Sequence, residues 1–230
     1  MMSLCMRYVD RSVYMGSLSK VDRSVYNQCM PRSQKTVAPP PPARERILLC
    51  AHALFYKEGI RATGIDRVIA ESGVTKVTFY RHFPSKNDLI LAFLEYRHAH
   101  WMAWFVDALH RHGNQLDALV PALAEWLGDE GFRGCAFINS VSELGAVLPE
   151  VVAISRRHKQ DMVSAIAALL PPARQRGQQA QAIALAVDGA IIRAQFDQAP
   201  DDALQTLAHI LKSLQAGASP AATRAKAAAR

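Results

Sequence analysis

The segment Thr63–Leu94 reads TGIDRVIAESGVTKVTFYRHFPSKNDLILAFL, and its punctuation decides the fold. Ile65, Val68 and Ile69 recur at helical spacing up to Ser72, after which Gly73-Val74 makes a tight turn. Thr75 is placed to cap a second short helix running to about His82. Phe83-Pro84-Ser85 breaks that helix. Ser85 then caps a long one through about Arg111, with Leu89, Phe93, Tyr96 and Trp101 along its stripe. Two short helices held by apolar residues across a glycine turn have helix-turn-helix geometry. The polar residues of the second helix, Thr75, Lys76, Thr78, Tyr80, Arg81 and His82, suit phosphates and base edges alike, and Val74, Val77 and Phe79 supply apolar surface. Spacing alone leaves open an ordinary helical hairpin with a solvated face.

Upstream, Ile47, Leu48, Ala51, Leu54 and Phe55 fall on one face of a helix that starts at Ala43 and stops at Gly59. Downstream, helices are expected near 115–128, 135–146, 149–169, 174–196 and 200–215, separated by Gly113, Gly128–Gly134, Pro149, Pro171-Pro172 and Pro200. Half of the 230 residues are hydrophobic, and alternating strand patterns with turn signals are scarce. The expected fold class is all-α, with about nine helices. Residues 43–90 read as a three-helix head, residues 91–215 as a larger helical body, and 216–230 as a tail without structure.

The net charge of +7 is unevenly placed. From Met30 to His100 there are eleven Lys and Arg against six Asp and Glu, whereas from Trp101 to the end there are twelve of each. A positive head on a neutral body is what a nucleic-acid partner requires. The four cysteines, Cys5, Cys29, Cys50 and Cys135, have no metal-ligand spacing, so neither a metal nor another cofactor is expected. No apolar run approaches the roughly 20 residues that span a bilayer, and the expected setting is a reducing cytoplasm with no membrane partner.

The run Gly73-Val74-Thr75-Lys76-x-Thr78-x-Tyr80-x-His82-Phe83-x-x-Lys86 closely resembles the signature of TetR-family regulators. The resemblance covers about a quarter of the chain, is highly specific, and removes the plain-hairpin reading. It implies that Thr75, Lys76 and Thr78 contact bases or phosphates from the recognition helix. Tyr80 and His82 would lie on the DNA backbone, and Lys86 would hold a phosphate where helix dipole and cation add. Two positions depart from the pattern. Gly64 stands where a Thr or Ser cap is common, and Val77 stands where Gly is frequent and offers a methyl contact to thymine. Family likeness implies that the head at 43–90 binds DNA and that the body at 91–215 binds ligand and dimerises. The homodimer would present two recognition helices about 34 Å apart to a palindromic operator, with repression as the usual outcome. A ligand favouring a conformation with splayed heads would release the DNA through differential affinity.

The body is less legible. GCAFINSVSELG (Gly134–Gly145) and LAVDGAIIRAQF (Leu185–Phe196) resemble stretches of one TetR subgroup. Small residues Ala182, Ala186, Gly189 and Ala190 on one side of the penultimate helix allow close packing, either in a four-helix dimer seam or within one subunit. Candidates for a cavity holding a small, largely apolar effector are Trp101, Trp104, Phe105, Trp126, Phe137 and Phe196, with polar Asn139, His158 and Arg193. An enzyme built on Cys135 and a histidine finds no support in general-base spacing, phosphate loop or metal cluster. An effector-independent architectural DNA-binding protein stays open; a sizeable apolar cavity argues for the sensor, a solid core for the architectural protein.

Residues 1–42 read as a leader without packed structure, ending in Pro39-Pro40-Pro41-Pro42, with Met30 as the initiator and Arg32 and Lys35 as a short basic arm. The leader repeats a hexapeptide: Val9-Asp10-Arg11-Ser12-Val13-Tyr14 returns as Val21-Asp22-Arg23-Ser24-Val25-Tyr26. It can be encoded as GTA GAC CGA TCG GTC TAC, which is its own reverse complement. Two operators translated from an early start, with the protein repressing its own gene, would explain the repeat.

Overall fold

The computed structural model describes residues 40–197 and 199–217. The hexapeptide repeat, Met30, Arg32, Lys35 and most of the tail lie outside the described residues. Among the described residues there are nine α-helices and one 3-10 turn. The first four are α1 (Ala43–Glu58), α2 (Ile65–Ser72), α3 (Lys76–His82) and α4 (Lys86–Arg111). After the 3-10 turn Leu116–Ala118 come α5 (Leu119–Leu127), α6 (Ala136–Leu144), α7 (Pro149–Ala168), α8 (Arg176–Asp197) and α9 (Pro200–Gly217).

Local chemistry accounts for these bounds. Thr75 Oγ1 accepts from Thr78 N at 3.2 Å, and Ser85 Oγ accepts from Asp88 N at 3.1 Å, so each helix start satisfies one orphan amide. Pro149 occupies the first turn of α7, where its missing N–H costs nothing. Gly73 ends α2 at φ 65°, a left-handed conformation that a side chain would strain. Gly64 caps α2 with no side-chain hydrogen bond, consistent with the departure noted at that position.

The head packs α1, α2 and α3 around Ile47, Ala51, Phe55, Val68, Phe79 and Phe83, all buried. Helix α4 belongs to both parts. At 1.5 Å per residue its 26 residues run about 39 Å. Its first turns close the head with Leu89, Ile90 and Phe93, and its later ones enter the body with Trp101, Phe105 and Leu109. In the body α7 packs on α4, α6 and α8, and α8 packs on α9. Among the described residues no helix is long and apolar enough to cross a membrane.

Candidate nucleic-acid interface and the body behind it

The recognition helix α3 is anchored inward by Phe79 alone, which is wholly buried against Phe83 and edge-on to Tyr80. Its other residues are left to solvent. Val77 is 70% exposed, Tyr80 and Lys76 are exposed, and Thr78 is half-buried. Thr75 and Thr78 hydroxyls share a 2.9 Å hydrogen bond, which presets the helix entrance. Lys76 Nζ lies 3.9 Å from Asp66, an exposed pair that contributes little to stability. The head therefore brings Thr75, Lys76, Val77, Thr78, Tyr80, Arg81 and His82 onto one short element.

Lys86 sits differently from the rest. Its Nζ donates to the carbonyl of Ile60 at 2.7 Å, so the ammonium ties the start of α4 to the loop between α1 and α2. Burial lowers its pKa, opposed by the carboxylate of Glu143.

That same loop is held from the body. Glu143 on α6 accepts from the amides of Ile60 (3.3 Å) and Arg61 (2.8 Å). Tyr56 on α1 donates its hydroxyl to Gly134 O at 2.9 Å and accepts from Arg133 N at 3.1 Å. These latches border a cleft of about 420 Å³ between head and body, with Asn139, Ser142 and Gln195 on its wall. Neither latch was among the expected site residues. Glu143 had a signal, since it is the one charge between Gly134 and Pro149. Tyr56 had none.

The expected effector residues separate into four groups. Trp101, Trp126, Phe137 and His158 line one inner cavity, joined by Arg97, Cys135, Lys159 and Met162. The cavity is about 10 Å³, room for about one water, so in this conformation the body core is closed. Trp104 and Phe105 pack behind Trp101 instead, with Phe105 stacked on it at 4.7 Å. Asn139 faces the head–body cleft and donates to Arg133 O at 3.0 Å. Arg193 and Phe196 do not reach the cavity at all. They lie on the outer face of α8, where Arg193 pairs with Asp197 at 3.0 Å and Phe196 is 72% exposed.

The small residues of α8 also divide. Ala182 and Gly189 are exposed and Ala186 is half-buried, but Ala190 is buried in the subunit's own core, because α8 turns that side toward the body. Leu185, 75% exposed, takes its place on the outer strip.

The cavity wall carries unusual polar chemistry. The His158 ring stacks on Phe137 at 3.7 Å, and its Nδ1 is 3.2 Å from Nδ1 of His98. Burial, with Lys159, His98 and Arg97 nearby, pushes the His158 pKa down to about 2. Cys135 is paired with a lysine rather than a histidine: Lys159 Nζ is 3.5 Å from Cys135 Sγ and 2.5 Å from Asp188 Oδ1. Burial disfavours the Lys159 charge, but Cys135 and Asp188 outweigh it and raise the pKa. Trp101 Nε1, also buried, meets no acceptor among the described residues.

Residues 47–93 match the family model described as bacterial regulatory proteins, tetR family. SCO4454, a TetR-family transcriptional regulator from Streptomyces coelicolor, is 30% identical, with a TM-score of 0.67 over 76% of this chain and 91% of that one. The chain belongs to the TetR family. It is thus a DNA-binding transcriptional regulator with an N-terminal helix-turn-helix domain. A regulator encoded in the lacX 3' region of Lactococcus lactis is 26% identical over 109 residues, 45% of this chain and 56% of that protein. This TetR-family chain spans about half the length of that relative, and less of the other curated regulators it matches. The fold is shared, at 20% identity and a TM-score of 0.59 over 76% of this chain and 98% of that one, with the multidrug binding protein EbrR, solved with malachite green.

Proposed function

We propose that this TetR-family protein is a homodimeric, ligand-responsive repressor that reads palindromic operators with Thr75, Lys76, Val77, Thr78, Tyr80, Arg81, His82 and Lys86. The observation that carries the reading is an uncovered apolar strip. Ala182, Leu185, Gly189 and Phe196 share one face of α8, edged by the exposed Arg193, and Ile210 is partly exposed on the neighbouring α9. A strip of this kind is stable in water only when covered, and a second copy covers it with two-fold symmetry, which a palindrome matches. Leu185→Arg is expected to yield a monomer by sedimentation and to weaken operator binding about a hundredfold, since each head then binds without its tethered partner. A variant that stays dimeric would place the interface elsewhere.

Ligand response is supported by Trp101. Among the described residues its buried N–H meets no acceptor, which costs on the order of 1–3 kcal/mol that an acceptor-bearing aromatic ligand would recover on entry. A protein of this fold, the multidrug binding protein EbrR, is solved in complex with malachite green, which supports a small-molecule role for the body. Because α6 lines the cavity at its start and grips the head through Glu143, parting the walls would also pull on the α1–α2 loop. The closed core favours one alternative, an architectural DNA-binding protein without effector. A thermal-shift screen of aromatic compounds that finds no stabiliser would favour it.

For Lys86 the geometry adds a role to the expected phosphate contact. Lys86→Ala is expected to weaken binding to every DNA sequence and flatten the salt dependence by roughly one unit of slope. An affinity loss with an unchanged slope would show that Lys86 acts only by holding Ile60.

A further inference from the structure

The hexapeptide at residues 9–14 returns at 21–26, outside the described residues. Its information lies in the genetic code. Val opposite Tyr has complementary codons only as GTA with TAC, and Asp opposite Val only as GAC with GTC. Arg opposite Ser has them as CGA with TCG or AGA with TCT. The residues therefore admit two self-complementary strings of eighteen bases, GTAGACCGATCGGTCTAC and GTAGACAGATCTGTCTAC. In this manner valine can stand opposite four residue types, aspartate opposite two and arginine opposite four. Three nested matches are then on the order of one chance in 250 for evenly drawn partners.

The edges argue further. Beyond the first copy the flanking residues are Tyr8 and Met15, and beyond the second Lys20 and Asn27. Neither pair has complementary codons, so whole-codon symmetry stops at the residues where the repeat stops, in both copies. A duplication kept for its protein product has no reason to end there. Two copies of a symmetric DNA site do.

The head described above is built for such a site. Two α3 helices related by a two-fold axis need two half-sites about one helical turn apart, which a string of this length provides. Each half-site carries guanines, whose O6 and N7 suit Lys76 or Arg81, and thymines, whose methyl suits the exposed Val77. We infer that the DNA encoding residues 9–14 and 21–26 is a pair of operators for this protein, each bound by one dimer; this rests on the dimeric, palindrome-reading function proposed above. The two centres are twelve codons apart, about three and a half turns of DNA, so two dimers sit on nearly opposite faces without colliding. The regulator's own gene is then one of its targets.

The codons themselves are the first test: non-complementary codons at these positions overturn the assignment. With complementary codons, the full-length protein is mixed with labelled thirty-base duplexes centred on each repeat and followed by fluorescence anisotropy at fixed salt. Binding about a hundredfold or more tighter than to a duplex with one half-site scrambled is expected, and footprinting should protect both repeats. Equal affinity for intact and scrambled duplexes overturns it. Selection from random duplexes, run in parallel, separates the two levels. Enrichment of an unrelated palindrome removes these operators and leaves the dimeric regulator standing, whereas enrichment of no palindrome removes both.

Discussion

Lowering the pH from 6.5 to 5 is expected to remove about 3 kcal/mol of folding stability, a large share of what a domain of this kind possesses. Two buried histidines carry the effect. Burial, helped by Arg97 and His100, pushes the His52 pKa down to about 3, and His158 lies near 2 for the like reasons given above. Both have an ordinary value of 6.5 in the unfolded chain. A histidine held neutral by the fold contributes full stability above its unfolded pKa and loses it as pH falls toward the folded one. Between 6.5 and 5 each unfolded histidine goes from half to almost fully protonated while the folded ring stays neutral, a loss of about 1.6 kcal/mol apiece. Glu125, held near 2 mainly by Arg111, loses its contribution only below about 4.5. Chemical denaturation at the two pH values measures the loss, and His158→Gln should reduce the pH dependence by about half. A stability independent of pH across this range would mean that both rings open to water far more readily than their burial indicates.

Phe79→Ala is expected to cost about 3–5 kcal/mol, the usual range for truncating a fully buried phenylalanine. The effect on function should exceed the effect on the body, because Phe79 is the sole inward anchor of α3 while the body's core lies elsewhere. DNA affinity should fall for specific and random sequences alike, since the recognition helix loses its fixed angle rather than one base contact. Thr78→Ala, which removes a hydroxyl at the surface of the same helix, should leave stability within about 0.5 kcal/mol and change sequence preference instead. Calorimetry with binding titrations distinguishes them. Retained affinity in Phe79→Ala would show that α3 is held mainly by DNA.

Sequence alone determined whatever depends on residues within a turn or two of one another. The hydroxyls of Thr75 and Ser85, the left-handed Gly73, Pro149 at a helix start and the apolar spacing of the first helix act over three or four positions, and their consequences stand where they were expected. The recognition helix was legible for the same reason: one apolar residue inside and a run of polar ones outside is a local pattern. What sequence could not decide is which way a long helix turns its remaining faces. Arg193 and Phe196 have the residue types and spacing of a pocket wall, and only the packing of α8 between α7 and α9 places them outside and Ala190 within. The same limit applies to contacts between distant positions. Glu143 meets the amides of Ile60 and Arg61 across 83 and 82 residues of chain, and Lys86 spends a donor on Ile60 O across 26. Such pairs leave no periodicity behind, because their geometry arises from the crossing of α4, α6 and the α1–α2 loop in space, and only the tertiary structure supplies that crossing.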